Sequence, residues 1–431
     1  MYANFRELFY YTLGIDIPAL SVINTFGFFV AMAFMVGAWL LAHELKRKEA
    51  EGLMGPTKRK VVIGKPASVF DIASAALLGF IVGYKFIGML VDIDWATQSP
   101  QDFMQSLQGN MFTGLLLAAA FGFMAWRGAE KERLPQPKEE IELVHPYQRV
   151  GNITIIAAVT GILGAKIFHH LENWGDFVRD PIGELSNFFG GLTFYGGLIV
   201  ATIAVLWYIR MFGMKPVHIF DSAAPVLIIA YGIGRMGCLI SGDGDWGVIN
   251  SAYRIDDKRN YTIVPPDSVL KEIPLHYEHY IDETNKVVDY IYYEKPKALS
   301  FLPNWFFAYD FRYNVLKKGI PVKGCRRDYC NKLPLPVFPT ALYEIVMASL
   351  IFAFLWAIRK RIKIPGLLFC IYLMFNGLER FTIESIRVNT KIPYFFPMQV
   401  TQAQLISSIL FLAGLLGIVF LYLRNKKAKQ A

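Results

Sequence analysis

The sequence predicts an all-α polytopic membrane protein of about nine transmembrane helices, with a small outer head domain containing some β structure. Three observations predict this: long uncharged apolar runs, basic residues confined to every second connection, and one polar stretch of about 90 residues, Val248 to Val337. The 431 residues are 54% hydrophobic and 18% charged, where soluble domains usually carry about 25% charged. A chain this apolar, with 15% aromatic residues, does not stay unfolded in water, which excludes disorder. Four cysteines are too few for a disulfide scaffold.

Each bilayer crossing needs about 20 mostly apolar residues. Ala19 to Ala42 supplies 24 without a charge, Phe188 to Ile209 supplies 22, and Leu405 to Leu423 supplies 19. Six further runs lie near 68–91, 109–127, 149–170, 217–241, 340–358 and 364–383. The first run is too long for a cleaved signal peptide and lacks a basic leader and a small-residue cleavage site.

The basic residues set the orientation. Lys46, Arg47, Lys48, Lys58, Arg59, Lys60 and Lys65 follow the first run, while Val91 to Asn110 has no Lys or Arg. Basic residues return after the third, fifth and seventh runs and in the tail. By the positive-inside rule the N-terminus and head lie outside and the C-terminus lies in the cytoplasm. The net charge of +9 is thereby explained without nucleic acid.

Five segments follow: 1–45, an outer segment and the first span; 46–148, cytoplasmic loops and a two-helix unit; 149–247, core helices; 248–337, the head; and 338–431, three helices and a basic tail. The head holds a β-type run, Val287 to Tyr293, and Cys325 and Cys330, which either pair or remain free. Gly79–Leu90 (GFIVGYKFIGML) resembles Gly161–Leu171 (GILGAKIFHHL). Each is followed by an acidic loop and an uncharged helix with small residues at its start, Thr113-Gly114 and Gly196-Gly197. This reads as a tandem copy of a two-helix unit, a feature also found in transporters.

Ionisable residues inside spans default to a functional reading. They are Lys85, Lys166, Arg235, Glu344, Glu379, Arg380, Glu384 and Arg387. Lys85 and Lys166 can snorkel along their helices. Arg380, Glu384 and Arg387, at i, i+4 and i+7, share one helical face. Tyr231–Gly247 (YGIGRMGCLISGDGDWG) closes an apolar helix instead of following a strand, so it is no dinucleotide motif. Its glycines let the backbone leave the helix and approach a ligand closely. Arg235 offers a planar fork suited to a phosphate.

In combination these motifs resemble the prolipoprotein diacylglyceryl transferases, bacterial inner-membrane enzymes. Gly234–Gly247 is similar to the family's G-R-x-G segment. Thr193-Phe194-Tyr195-Gly196-Gly197-Leu198 resembles its S-F-H-G-G-L, and Phe338-Pro339-Thr340-Ala341-Leu342-Tyr343-Glu344 its H-P-T-Q-L-Y-E. Gly377, Arg380, Phe381, Glu384 and Arg387 match G-x-x-R-F-x-x-E-x-x-R. The resemblance covers most of 19–45 and 150–425. Tyr195 stands where the family has His, Cys238 where it has Asn, Ala341 for Gln and Phe26 for Tyr. Asp243 takes the acidic position, with one extra residue before Gly247.

The resemblance implies a seven-helix core with the first two-helix copy (68–127) and the head as additions. It implies transfer of the diacylglyceryl group of phosphatidylglycerol to the lipobox cysteine of a prelipoprotein. A thioether forms and glycerol phosphate leaves, in the inner membrane with the head periplasmic, with no cofactor or metal. Arg235 and Arg380 would neutralise the phosphate, with Tyr195 and Glu384 as further catalytic residues. Cys238, Asp243, Gly247, Gly196, Gly197 and Arg387 would bind the lipid. Tyr195, Glu384 and a substrate phosphate oxygen all remain open as the thiol's base. The alternative reading is a transporter or lipid flippase built on the two-helix repeat.

Overall fold

The computed structural model describes residues 1–91, 103, 108–186, 191–273, 275, 290–388 and 400–430. Val287 to Asp289 of the expected β run and parts of both acidic loops lie outside these residues. The chain divides into two compact units: 1–16, 23–40 and 217–431 form one, and 17–22 with 41–216 form the other.

Among the described residues eight helices are long and apolar enough to cross a membrane. They are α2 (Thr25–Ala50), α3 (Val69–Val91), α4 (Met111–Lys131), α5 (Val150–Glu172), α6 (Phe194–Met211), α7 (Pro216–Ser241), α8 (Thr340–Ile358) and α10, which begins at Gln402. A short helix α1 (Phe5–Leu13) precedes them. The ninth expected span is α9 (Leu367–Glu384), whose last turns carry Glu379, Arg380 and Glu384. Those charges set it apart from the other eight. The chain is a multi-pass membrane protein.

In the first unit, α7, α8 and α9 pack through Ala224, Ile228, Ala348, Ile351, Leu355 and Leu368. Asp221 of α7 accepts hydrogen bonds from the backbone N–H groups of Gly366 (2.8 Å) and Phe369 (3.0 Å), so a neighbouring helix caps the start of α9. Helices α9 and α10 meet at small residues: a Cβ on Gly377 would stand 2.5 Å from the Ser407 carbonyl oxygen.

The head belongs to this unit. Its core is Trp246, Ile249, Phe311, Leu333, Leu335 and Val337. Its strands are short: β3 (Ile249–Asn250) pairs in parallel with β6 (Tyr290–Ile291). β4 (Tyr253–Ile255) and β5 (Tyr261–Ile263) form a hairpin, as do β7 (Ile320–Pro321) and β8 (Asn331–Lys332). Cys325 and Cys330 form a disulfide. The loop it closes presents Arg327, which pairs with buried Glu7 of α1 at 2.9 Å and with Asp16 at 3.3 Å. Arg6 and Arg327 hold the Asp16 carboxyl well below the usual range.

The second unit contains two helical hairpins, α3–α4 and α5–α6. Before each second helix a backbone N–H donates to a carbonyl near the end of the first: Asn110 to Tyr84 at 3.0 Å and Thr193 to Ala165 at 3.1 Å. Each acceptor immediately precedes a lysine, Lys85 or Lys166. This registration matches Gly83 with Gly164, Thr113-Gly114 with Gly196-Gly197, and Phe112 with Tyr195. A Cβ on Gly164 would lie 2.6 Å from the Gly196 carbonyl oxygen, and one on Gly83 would overlap the Thr113 carbonyl. Both hairpins therefore need a residue without a side chain at the same crossing. Lys166 is buried, and Lys85 donates to the carbonyls of Phe103 (2.9 Å) and Gln108 (2.6 Å).

One element was not foreseen. β1 (Thr57–Ile63) pairs antiparallel with β2 (Lys138–Val144), making the longest sheet in a segment expected to be loop. Arg59 faces Glu142 in this ladder, and opposite charges across a pair favour the register. The signal was visible as complementary charge on two short β-branched runs, but their partners are far apart in sequence.

Gly164→Val should destabilise the α5–α6 hairpin by about 1–3 kcal/mol through overpacking. Thermal unfolding of the purified protein in detergent would show a clearly lowered midpoint. An unchanged midpoint would mean that the close crossing is not needed for stability.

Candidate active site

The site lies in the first unit, where α7 ends and α8 begins. α7 carries Tyr231, Arg235 and Cys238 on its last turns. The chain then leaves the helix through Gly242 and Gly244, whose φ values of 68° and 99° suit glycine. This turn presents Asp243 and Asp245. Gly247 next passes between two other segments: its N–H donates to Phe338 O at 2.8 Å, and a Cβ there would lie 2.7 Å from Ile386 O. Gly247, one of the residues expected to bind lipid, is closely packed through its backbone here.

Glu344 sits at the centre. It is 1% exposed. Arg235 Nε lies 3.0 Å from one carboxylate oxygen, and Arg380 lies 3.4 Å and Arg387 4.0 Å from the other. The Tyr231 hydroxyl donates to that second oxygen at 2.8 Å. Asp245 bridges two of the arginines, one oxygen on Arg235 and the other on Arg387. Glu384 is buried between Arg380 (3.0 Å) and the Thr401 hydroxyl (2.9 Å). Glu379, also 1% exposed, faces the Tyr231 hydroxyl at 3.4 Å.

Thus three arginines converge with three partner carboxylates. Arg235, Cys238, Asp243, Arg380, Glu384 and Arg387 all lie in this part of the first unit. Cys238 is buried, 3.7 Å from an Arg235 nitrogen. Burial raises Asp243 above the usual carboxylate range. Tyr195, Gly196 and Gly197 belong to the second unit, at the start of α6, where Tyr195 is half-buried and both glycines are buried at the crossing with α5.

Two assignments change in emphasis. The acid that meets the arginines is Asp245, two residues beyond Asp243, because the double-glycine turn carries it back toward α7. Glu344 was visible as a buried charge, but its position at the hub was not. Tyr231 was missed, although at i−4 from Arg235 it shares a helical face with it. The ligand atoms of Cys238, Asp243 and Asp245 lie within 4.8 Å of one another. Asp245 already directs both its oxygens to guanidiniums, so this trio is organised around arginine.

Fold and site together define a polytopic helical membrane protein with a buried arginine–carboxylate cluster at one end of its helices. A family model described as prolipoprotein diacylglyceryl transferase matches residues 111–420. The chain belongs to that family and is a diacylglyceryl transferase. It is 25% identical over 287 residues to a phosphatidylglycerol–prolipoprotein diacylglyceryl transferase of Dehalococcoides mccartyi, covering 66% of this chain and 80% of the relative. The enzymes of the same name from Staphylococcus haemolyticus (23% over 278 residues; 64% and 74% covered) and Streptococcus uberis (25% over 275 residues; 63% and 78% covered) are similar. The family match starts at α4 and takes in seven long helices, α4 to α10. The sequence resemblance had instead counted 19–45 with the core and set the first hairpin apart.

Glu344→Gln should keep the Tyr231 contact but leave three guanidiniums short of a charge. Removing one partner of a buried ion pair typically costs about 3–5 kcal/mol. The detergent unfolding midpoint should fall sharply, and Arg380→Gln in the same chain should restore part of it. Additive losses in the double variant would refute the coupling.

Proposed function

We infer that the protein transfers the diacylglyceryl group of phosphatidylglycerol to the lipobox cysteine thiol of a prelipoprotein. The carbon–oxygen bond to phosphate breaks, a carbon–sulfur bond forms, and glycerol phosphate leaves. The supporting observation is Asp245 lying between Arg235 and Arg387. Its two oxygens occupy the position that the two free oxygens of a phosphodiester would take. Asp245 is the most exposed of the three bridging carboxylates, at 26% against 1% for Glu344 and Glu384. The lipid phosphate displaces it and receives both guanidiniums.

Charge builds on the departing phosphate oxygen, so the same arginines stabilise the transition state more than the ground state. The thiol proton passes to that departing phosphate. Glu384, held by Arg380 and Thr401, positions Arg380 and is not the base. Tyr195, which stands where the family motif has His, is a further catalytic residue in this reading. In this reading the enzyme lies in the inner membrane with the head periplasmic and the C-terminus cytoplasmic.

Arg235→Ala should lower the transfer rate about 10²-fold or more, as loss of an oxyanion donor does elsewhere. Arg235→Lys keeps the charge without the fork and should retain part of the activity. Labelled phosphatidylglycerol and a lipobox peptide provide the assay, with folding checked in detergent. A folded Arg235→Ala variant working at the wild-type rate would defeat the phosphate assignment.

The hairpins make a second comparison. Tyr195→Ala should slow transfer, while Phe112→Ala and Lys85→Ala in the other copy should leave it nearly intact. Loss of activity in all three would show that both copies take part.

A further inference from the structure

A cavity of about 480 Å³ opens in the first unit where the head meets the ends of α7 and α8. That size falls within the roughly 300–1,000 Å³ usual for ligand pockets. Leu239 lines it. Leu239 is four residues after Arg235, so the cavity begins on the same face of α7, one turn further out. Trp305 and Tyr309 supply aromatic walls. The turn holding Trp305 is tied to α8, since the Tyr343 hydroxyl donates to Phe306 O at 2.6 Å.

The charges of this cavity are unequal. Asp310 in its wall is held by Arg312 at 3.0 Å. Arg259 also lines the cavity but is exposed and has no ion-pair partner among the described residues. Its backbone is left-handed, with φ 66°. The Asp256 carboxylate fixes this turn by accepting from Asn260 N at 2.8 Å. A residue other than glycine held this way costs of order 1–3 kcal/mol, and such strain clusters at ligand sites. The free charge in the cavity is therefore positive, beside aromatic rings.

The geometry points to a polypeptide site: we propose that this cavity holds the stretch of prelipoprotein that follows the reacting cysteine, in extended form. This rests on the transferase reading above. A thiol reacting beside Arg235 must send its following chain past Leu239 and into the cavity. Trp305 and Tyr309 contact its side chains, and Arg259 takes a backbone carbonyl or an acidic side chain.

Two lipobox peptides test the proposal with the purified full-length protein and phosphatidylglycerol micelles. One ends just after the cysteine; the other continues for about six residues, roughly 20 Å when extended. The wild-type protein should show a lower KM for the longer peptide. Trp305→Ala and Arg259→Asn, which tolerates the left-handed turn, should raise the KM for the longer peptide about tenfold. The KM values for the shorter peptide and for phosphatidylglycerol should stay unchanged. Equal wild-type KM values for the two peptides would overturn this site while leaving the transferase reading intact. A raised KM for phosphatidylglycerol in the variants would make the cavity a lipid site and overturn it too. Wild-type protein that transfers to neither peptide would overturn the transferase reading and this proposal together.

Discussion

The Glu344 carboxylate, buried among three guanidiniums, is the constraint on which the first unit depends. A lone carboxylate at 1% exposure in an apolar bundle carries a large desolvation penalty, and so does each arginine. Together they satisfy one another only if α7, α8 and the end of α9 meet at one depth. The helix ends are therefore positioned by charge as much as by apolar packing. Gly377 against Ser407 and Asp221 at the start of α9 then hold α9 where Arg380 reaches Glu344.

The carboxylates of the cluster differ in exposure. Two of its carboxylates, Glu344 and Glu384, are sealed inside and keep the arginines in place. Asp245 is carried on a glycine turn and is partly open. In the proposed reading Asp245 gives way to the lipid phosphate, and the arginines do not have to be gathered when it arrives. The Arg327 clamp and the Cys325–Cys330 loop hold α1 against the head in the same unit.

The two hairpins of the second unit show geometry repeated without its side-chain chemistry. Both use a side-chain-free residue at the crossing and a backbone bond just before the lysine. Phe112 occupies in one the position of Tyr195 in the other. Close approach of two helices depends on small residues at one depth, and that requirement survives substitution of the neighbouring ring.

Much was legible in the sequence because membrane helices obey a local rule. A span needs about 20 apolar residues whatever its neighbours, so the runs, their order and the tandem hairpins could be read in line, and Arg235, Arg380, Glu384 and Arg387 stood out as charges in apolar surroundings. The pairings could not be read that way. The ion pairs of Asp245 with Arg235 and Arg387 depend on the left-handed turns at Gly242 and Gly244. The hub role of Glu344 depends on three helices converging, and the β1–β2 sheet joins strands far apart in the chain. Sequence by itself determined which residues carry charge within the membrane and in what order. Tertiary structure alone decided which of them touch, because ion pairing falls off within a few ångströms and those distances are set by how separate helices pack.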